Sequence, residues 1–254
     1  MRKASPVKEI MNLADPEYIR KLGVNPDNLI SFAGGWVNHN APENLRKAYV
    51  DITSDPKQFH SSGAYSPTLG NQEFKTALCK FEHELYGMNI SETQIAVGSS
   101  STQLTTELFT VLLDPHDKIL LLDPSYCNFP TQVITEIPEI EILRFSVINE
   151  ENWKFIADEK IEEFSQYILE NKPKIVMLVS PDNPTSKVLS HEFVQATLNA
   201  VKKINGISSF TSLISIARVK PSLNGIIISR MHKSKSDLLN FSNPSIPLTA
   251  RDTS

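Results

Sequence analysis

Lys174-Ile175-Val176-Met177-Leu178-Val179-Ser180-Pro181-Asp182-Asn183-Pro184-Thr185 begins as a short apolar run without alternation. Such a run reads as a strand buried on both faces. It ends in Ser-Pro-Asp-Asn-Pro-Thr, where two prolines bracket Asp182-Asn183 and force an extended exit and a turn. A helical pattern follows from about His191 to Lys203. A buried strand whose carboxyl end hands a polar turn to a helix is where open α/β sheets place ligands.

Upstream segments repeat this theme. Gln94-Ile95-Ala96-Val97 reads as a strand running into Gly98-Ser99-Ser100-Ser101-Thr102-Gln103, and a helix with a Leu104, Leu108, Leu112 stripe continues to about Leu113. The first N–H groups of such a helix lack intrahelical partners and sit at the positive end of its dipole. The loop is therefore either an anion site or a richly furnished helix cap. It carries neither the Walker lysine nor the glycine spacing of a dinucleotide fingerprint. Asp117 to Leu122 is another buried strand; it ends in Asp123-Pro124-Ser125-Tyr126, so the Tyr126 ring either covers a planar ligand or joins the core. Ile140 to Phe145 reads as a strand and Lys160 to Leu169 as a helix. Strands alternating with helices imply a parallel sheet flanked by helices, with the three ligand loops on one edge.

Nearer the amino terminus, Leu29 to Phe32 is an apolar run ending in Ala33-Gly34-Gly35, and helices are expected at Asp15-Pro16-Glu17 and from Glu43 to Asp51. Tyr65-Ser66-Pro67-Thr68-Leu69-Gly70 precedes a helix over Asn71–Tyr86, with Asn71 as N-cap and Phe74, Leu78, Phe81 and Leu85 on its core face. Tyr65 falls outside that stripe, in a loop.

The 254 residues suffice for one large domain, or one plus a smaller unit, and 40% hydrophobic with 21% charged residues is a globular profile. A formal net charge of −4 argues against nucleic-acid or membrane-surface binding. Cys79 and Cys127 form neither a metal-spaced pair nor a disulfide framework, which fits a reducing, cytoplasmic setting. No signal peptide or membrane-spanning run is visible.

Taken together, in order and spacing, these segments resemble the class I/II, fold type I, pyridoxal-phosphate-dependent aminotransferases, over about Ile30 to Lys203. The signature pieces are Phe32-Ala33-Gly34-Gly35, Tyr65 through Gly70 to Phe74, Gly98 to Gln103, Tyr126, and Ser180-Pro181-Asp182-Asn183-Pro184-Thr185-Ser186. The last has serine in place of the family's first asparagine and final glycine. The resemblance implies a three-layer α/β sandwich with a mostly parallel sheet. It implies pyridoxal 5'-phosphate as cofactor, with an amino acid and a 2-oxo acid as substrates. Ser99, Ser100 and Ser101 would hold the phosphate, Tyr126 would stack on the ring and Asn183 would donate to its phenolic oxygen. Tyr65 would reach the phosphate of a neighbouring subunit's cofactor, implying a homodimer, and Gly34 and Gly35 would lie beside the substrate carboxylate.

The family's pattern also requires an Asp for the ring nitrogen, a Tyr and a Schiff-base lysine. Gly206 to Ile216 offers neither Asp nor Tyr, and the nearest lysines, Lys233 and Lys235 in His232-Lys233-Ser234-Lys235-Ser236, come early and lack the following glycine. The expected organisation is an N-terminal arm (1–31), an incomplete cofactor domain (32–206) and an atypical serine-rich tail (207–254), with the small domain largely missing. On this reading the family-like sequence stops near Lys203 to Gly206, where a shifted reading frame or mis-joined exon would change the composition abruptly. The sheet would not continue past that point, and the Lys174–Val179 strand would keep an exposed edge. Two functional readings follow: an aminotransferase impaired by truncation, or a non-catalytic remnant that at most binds phosphate or the cofactor and pairs with another subunit.

Overall fold

The computed structural model describes residues 10–13, 15–30, 40–211, 214–218 and 226–230. The chain divides into two compact units, residues 1–68 and 69–254.

In the first unit, α1 (Pro16–Lys21) starts where the Asp15 side chain accepts from the Glu17 N–H. Helix α2 (Glu43–Ser54) is followed directly by α3 (Pro56–Ser62), whose N-cap Asp55 accepts from the N–H groups of Lys57 and Gln58. Leu45, Tyr49, Val50 and Phe59 on these two helices are exposed.

The second unit runs α4 (Gln72–Tyr86), β1 (Ile95–Val97), α5 (Ser101–Leu112), β2 (Lys118–Asp123), α6 (Asn128–Glu136), β3 (Glu141–Ser146), α7 (Ile161–Asn171), β4 (Ile175–Val179), α8 (His191–Lys203), β5 (Ile207–Thr211), β6 (Ile214–Arg218) and β7 (Ile226–Arg230). The order in its main sheet is β3-β2-β4-β5, and every pairing is parallel. Alternate residues of the buried strands face opposite ways. Leu120, Leu122, Val176 and Leu178 pack against Phe164 and Ile168 of α7 and Phe193, Val194 and Val201 of α8. Ile119, Leu121, Ile175, Met177 and Val179 pack against Phe109 of α5 and Phe129 and Val133 of α6. The unbroken apolar run of β4 is therefore explained by helices on both faces, giving the expected three-layer α/β arrangement.

Two expectations are corrected here. The sheet does not stop near Gly206: β5 pairs in parallel with β4 over the whole of its length, Ile207 opposite Ile175 and Thr211 opposite Val179. The strand is serine-rich, but pairing uses backbone groups, and the free edge of β4 is a row of N–H and C=O groups that must be satisfied. Ile207, itself buried, anchors the strand in the α5–α6 cluster. Second, β1 does not lie in the main sheet. It pairs in parallel with β7, which pairs antiparallel with β6, in a separate three-stranded sheet. Ile226 to Ile228 supply this partner, opposite Ile95 to Val97.

Helix α4 also differs from its apolar pattern. Asn71 is its N-cap, accepting from Glu73 N at 2.8 Å and Phe74 N at 3.2 Å. Yet Phe74 and Leu85 are exposed, and only Leu78 of the four expected core residues is buried. Leu78 packs on Ile95 of β1, and a strand of three residues covers only a narrow strip of the helix.

Candidate functional site

Strands β1, β2 and β4 each end where the sequence delivers candidate residues. Strand β1 stops at Val97, and Gly98 begins the loop into α5. A Cβ on Gly98 would stand 2.7 Å from both Cγ and Cδ2 of Leu104, so the loop folds tightly over the first turn of the helix. Gly70, in the Tyr65–Phe74 segment, has φ +97°, and a Cβ there would meet Val97 Cγ2 at 2.6 Å. Leu69 also accepts from the Val97 N–H at 3.3 Å. The glycine of that segment thus braces the residue before the loop.

Within the loop, Ser100 is the N-cap of α5, its Oγ accepting from Gln103 N at 3.1 Å. Ser99 is exposed, and its N–H and Oγ–H converge on one oxygen, Gln103 Oε1, at 2.8 and 2.7 Å. Gln103 Nε2 donates to Glu107 Oε1 at 2.7 Å. Ser101 opens the helix, and its carbonyl accepts from Thr105 Oγ1 at 2.8 Å.

Tyr126 lies just beyond β2. Its half-buried ring meets Phe129 edge-on, with centroids 5.3 Å apart and planes at 83°, and burial pushes its phenol pKa upward. The loop then enters α6, which carries Gln132. This buried side chain reaches the first turn of α5: Nε2 lies 2.8 Å from the Thr102 carbonyl, 2.9 Å from Thr105 Oγ1 and 2.8 Å from Thr106 Oγ1. Strand pairing does not join the β1 and β2 loops; a glutamine between the helices that follow them does.

Beyond β4, Ser180 is buried and its Oγ accepts from Leu189 N at 3.0 Å. Asp182 is buried too, accepting from Thr185 N at 3.1 Å and Thr185 Oγ1 at 2.6 Å. Burial raises its carboxyl pKa, and the Thr185 hydrogen bonds offset part of that rise. The turn closes through Asp182 N to Lys187 O at 2.7 Å and Ser186 N to Asp182 O at 2.8 Å. Pinned in this way, the turn leaves Asn183 exposed at its tip. Ser186, which stands in place of glycine, has φ 60°, the backbone conformation a glycine adopts most readily.

Tyr65 lies in the first unit and is fully exposed. Gly34, Gly35, Lys233 and Lys235 lie outside the described residues. Thr211 closes β5 beside Val179, at the strand end where the expected pattern calls for an Asp. Sequence reasoning assigned no role to Gln103 and overlooked both α6 and Gln132. Asn128-Phe129-Pro130 hides the start of α6, and the only available signal for Gln132 was a polar residue next to apolar Val133 and Ile134.

The family described as aminotransferase class I and II matches residues 28–208. An asparagine–oxo-acid transaminase of Streptococcus mutans is 24% identical over 79% of this chain and 49% of its own length. An aspartate aminotransferase of Thermotoga maritima is 25% identical over 79% and 49%, respectively. The aspartate aminotransferase from Thermus thermophilus with maleate superposes with a TM-score of 0.69 at 20% identity, covering 84% of this chain and 51% of that one. The chain spans about half the length of the relatives it matches. The family match takes in well over half of this sequence, and the chain belongs to the class I and II aminotransferases.

Proposed function

We propose that this protein serves pyridoxal-phosphate-dependent transfer of an amino group between an amino acid and a 2-oxo acid, at a rate lowered by the residues at its ring-nitrogen end. The observation that carries the reading is the pair of Ser99 donors converging on a single oxygen at the N-terminus of α5. Gln103 Oε1 there stands in for a phosphate oxygen, an acceptor of the same geometry whose charge also suits the helix dipole. The residues present therefore fit the phosphate end of the cofactor. Ser99, Ser100 and Ser101 would hold the phosphate, with Gly98 and Gly70 keeping the loop close to the helix. Tyr126 would lie against the ring and Asn183 would donate to its phenolic oxygen.

When bound, the cofactor supplies an electron-withdrawing pyridinium ring that stabilises negative charge developing on a substrate carbon. A carboxylate at the ring nitrogen strengthens that withdrawal. Here Thr211 ends β5, and no acidic residue occurs between Glu192 and Asp237. The sequence of β5, Ile207 to Thr211, contains no carboxylate to hold a proton on the ring nitrogen. Lys233 and Lys235 are the candidates for the amine.

A homodimer fits the exposed apolar residues Leu45, Tyr49, Val50 and Phe59 of α2 and α3, a pattern that favours a protein partner. Tyr65 would then serve the neighbouring subunit's phosphate, and Gly34 and Gly35 the substrate carboxylate. Among the described residues no helix is long and apolar enough to cross a membrane. The setting we propose is cytoplasmic.

The test is titration of the purified protein with pyridoxal phosphate, followed by its visible absorption, and then assay with amino acid and 2-oxo acid pairs. Binding that perturbs the absorption band, weakened by Ser99→Ala and altered by Lys233→Ala or Lys235→Ala, is the expected result. No perturbation at saturating cofactor would refute it. A second reading, a non-catalytic member that binds only the phosphate group, is favoured by Thr211 at the end of β5. Phosphate binding without amino transfer would select it.

A further inference from the structure

We propose that Gln103 is a built-in competitor for the phosphate group, holding the Ser99 donors until a ligand displaces it. The proposal rests on the cofactor reading above and adds a control element to the same loop. Gln103 is the third residue of α5 and reaches back over the helix start. A glutamine at this place commonly returns to the N-cap backbone. Here it goes one residue further, to Ser99, and takes both its N–H at 2.8 Å and its Oγ–H at 2.7 Å. Those are the donors the phosphate needs, so the two occupants exclude each other.

Glu107, one turn along α5, fixes which end of the amide faces Ser99. Its carboxylate only accepts, so it takes the Nε2 end at 2.7 Å and leaves Oε1 for Ser99. Gln103 and Glu107 are both exposed, so the side chain can swing into water without repacking the core. Once it swings, the helix start loses two neutral hydrogen bonds and regains charged ones from the phosphate. The device keeps the empty loop capped and weakens ligand affinity by the strength of the contact displaced.

Gln103→Ala removes the competitor while placing the best helix former in the first turn. Two exposed hydrogen bonds correspond to a gain in affinity of about five- to thirty-fold. Glu107→Ala frees the amide to turn and should move affinity in the same direction by a smaller factor. Gln103→Glu keeps the contact but adds a negative charge, and should weaken binding. The probes are pyridoxal phosphate, followed by absorbance, and inorganic phosphate, followed by its competition with it. Thermal melts of each variant, with and without pyridoxal phosphate, separate capping from competition: Gln103→Ala should melt no higher than wild type alone and higher than wild type at saturating cofactor.

Tighter binding by Gln103→Ala, with weaker binding by Gln103→Glu, is the expected result. Equal or weaker binding by Gln103→Ala, while wild type binds, overturns the competitor and leaves the cofactor reading standing. No binding by wild type, Gln103→Ala or Glu107→Ala overturns both.

Discussion

Replacing Gln132 with leucine should leave folding stability within about 1 kcal/mol of wild type while loosening the Ser99–Ser101 loop. Gln132 Nε2 has two protons for three acceptors, Thr102 O, Thr105 Oγ1 and Thr106 Oγ1, so at most two good hydrogen bonds are lost. At about 1 kcal/mol net each, the loss is about 2 kcal/mol. Gln132 Oε1, by contrast, is buried with no hydrogen-bond partner among the described residues. Removing it recovers about 1–3 kcal/mol of desolvation cost. Leucine is close to glutamine in size, so no large cavity opens, whereas Gln132→Ala should add about 1–2 kcal/mol of cavity cost. Thr105 Oγ1 keeps its bond to the Ser101 carbonyl at 2.8 Å, so it is not orphaned. Urea denaturation with unchanged m-values measures the stability term. Titration with pyridoxal phosphate measures the loop, where the lost tie from α6 to α5 should weaken binding several-fold. A stability loss above about 3 kcal/mol for Gln132→Leu would refute the reasoning, because it would mean that Oε1 is satisfied in solution.

Gly70→Ala combines φ strain with a Cβ at 2.6 Å from Val97 Cγ2, and should cost about 2–4 kcal/mol by urea denaturation; a cost under about 1 kcal/mol would mean that the brace is soft. Burial makes the Asp182 carboxyl harder to ionise in the folded state than in the unfolded one. The folded state therefore binds the proton more tightly, and the contribution of this site to stability is full below about pH 4 and falls as pH rises through the raised folded value. Stability curves against pH for wild type and Asp182→Asn should show that component vanish in the variant; parallel curves would contradict the assignment. Ser209→Pro removes a backbone donor in the middle of β5, on the side that the Ile207 N–H to Lys174 O bond shows to face β4, and should destabilise the β4–β5 pairing by about 3 kcal/mol, with aggregation as the visible sign. A soluble variant of unchanged stability would mean that β5 does not cover the β4 edge.

The layered core and the caps are legible in local sequence alone. Ile119–Leu122 and Ile175–Val179 could be read as two-sided strands because helices must cover both faces of an unbroken apolar run. Asn71 and Ser100 could be read as N-caps because capping depends only on neighbours within one turn. Other features were settled by contacts between segments far apart in the chain. Serine-rich Ile207–Thr211 becomes a strand because the β4 backbone offers an edge, a demand that side-chain patterns do not record. Phe74 and Leu85 stay exposed because β1 is too short to cover the apolar stripe of α4. Gln132 gains its role only when α6 packs on the first turn of α5, about thirty residues upstream of it. Gln103 was legible as part of a loop, but its hold on Ser99 depends on the rotamer that Glu107 selects one helical turn away. Periodicity and local capping act within a few residues and are written in the sequence; sheet edges, helix coverage and buried amide ties are set by the folded chain as a whole.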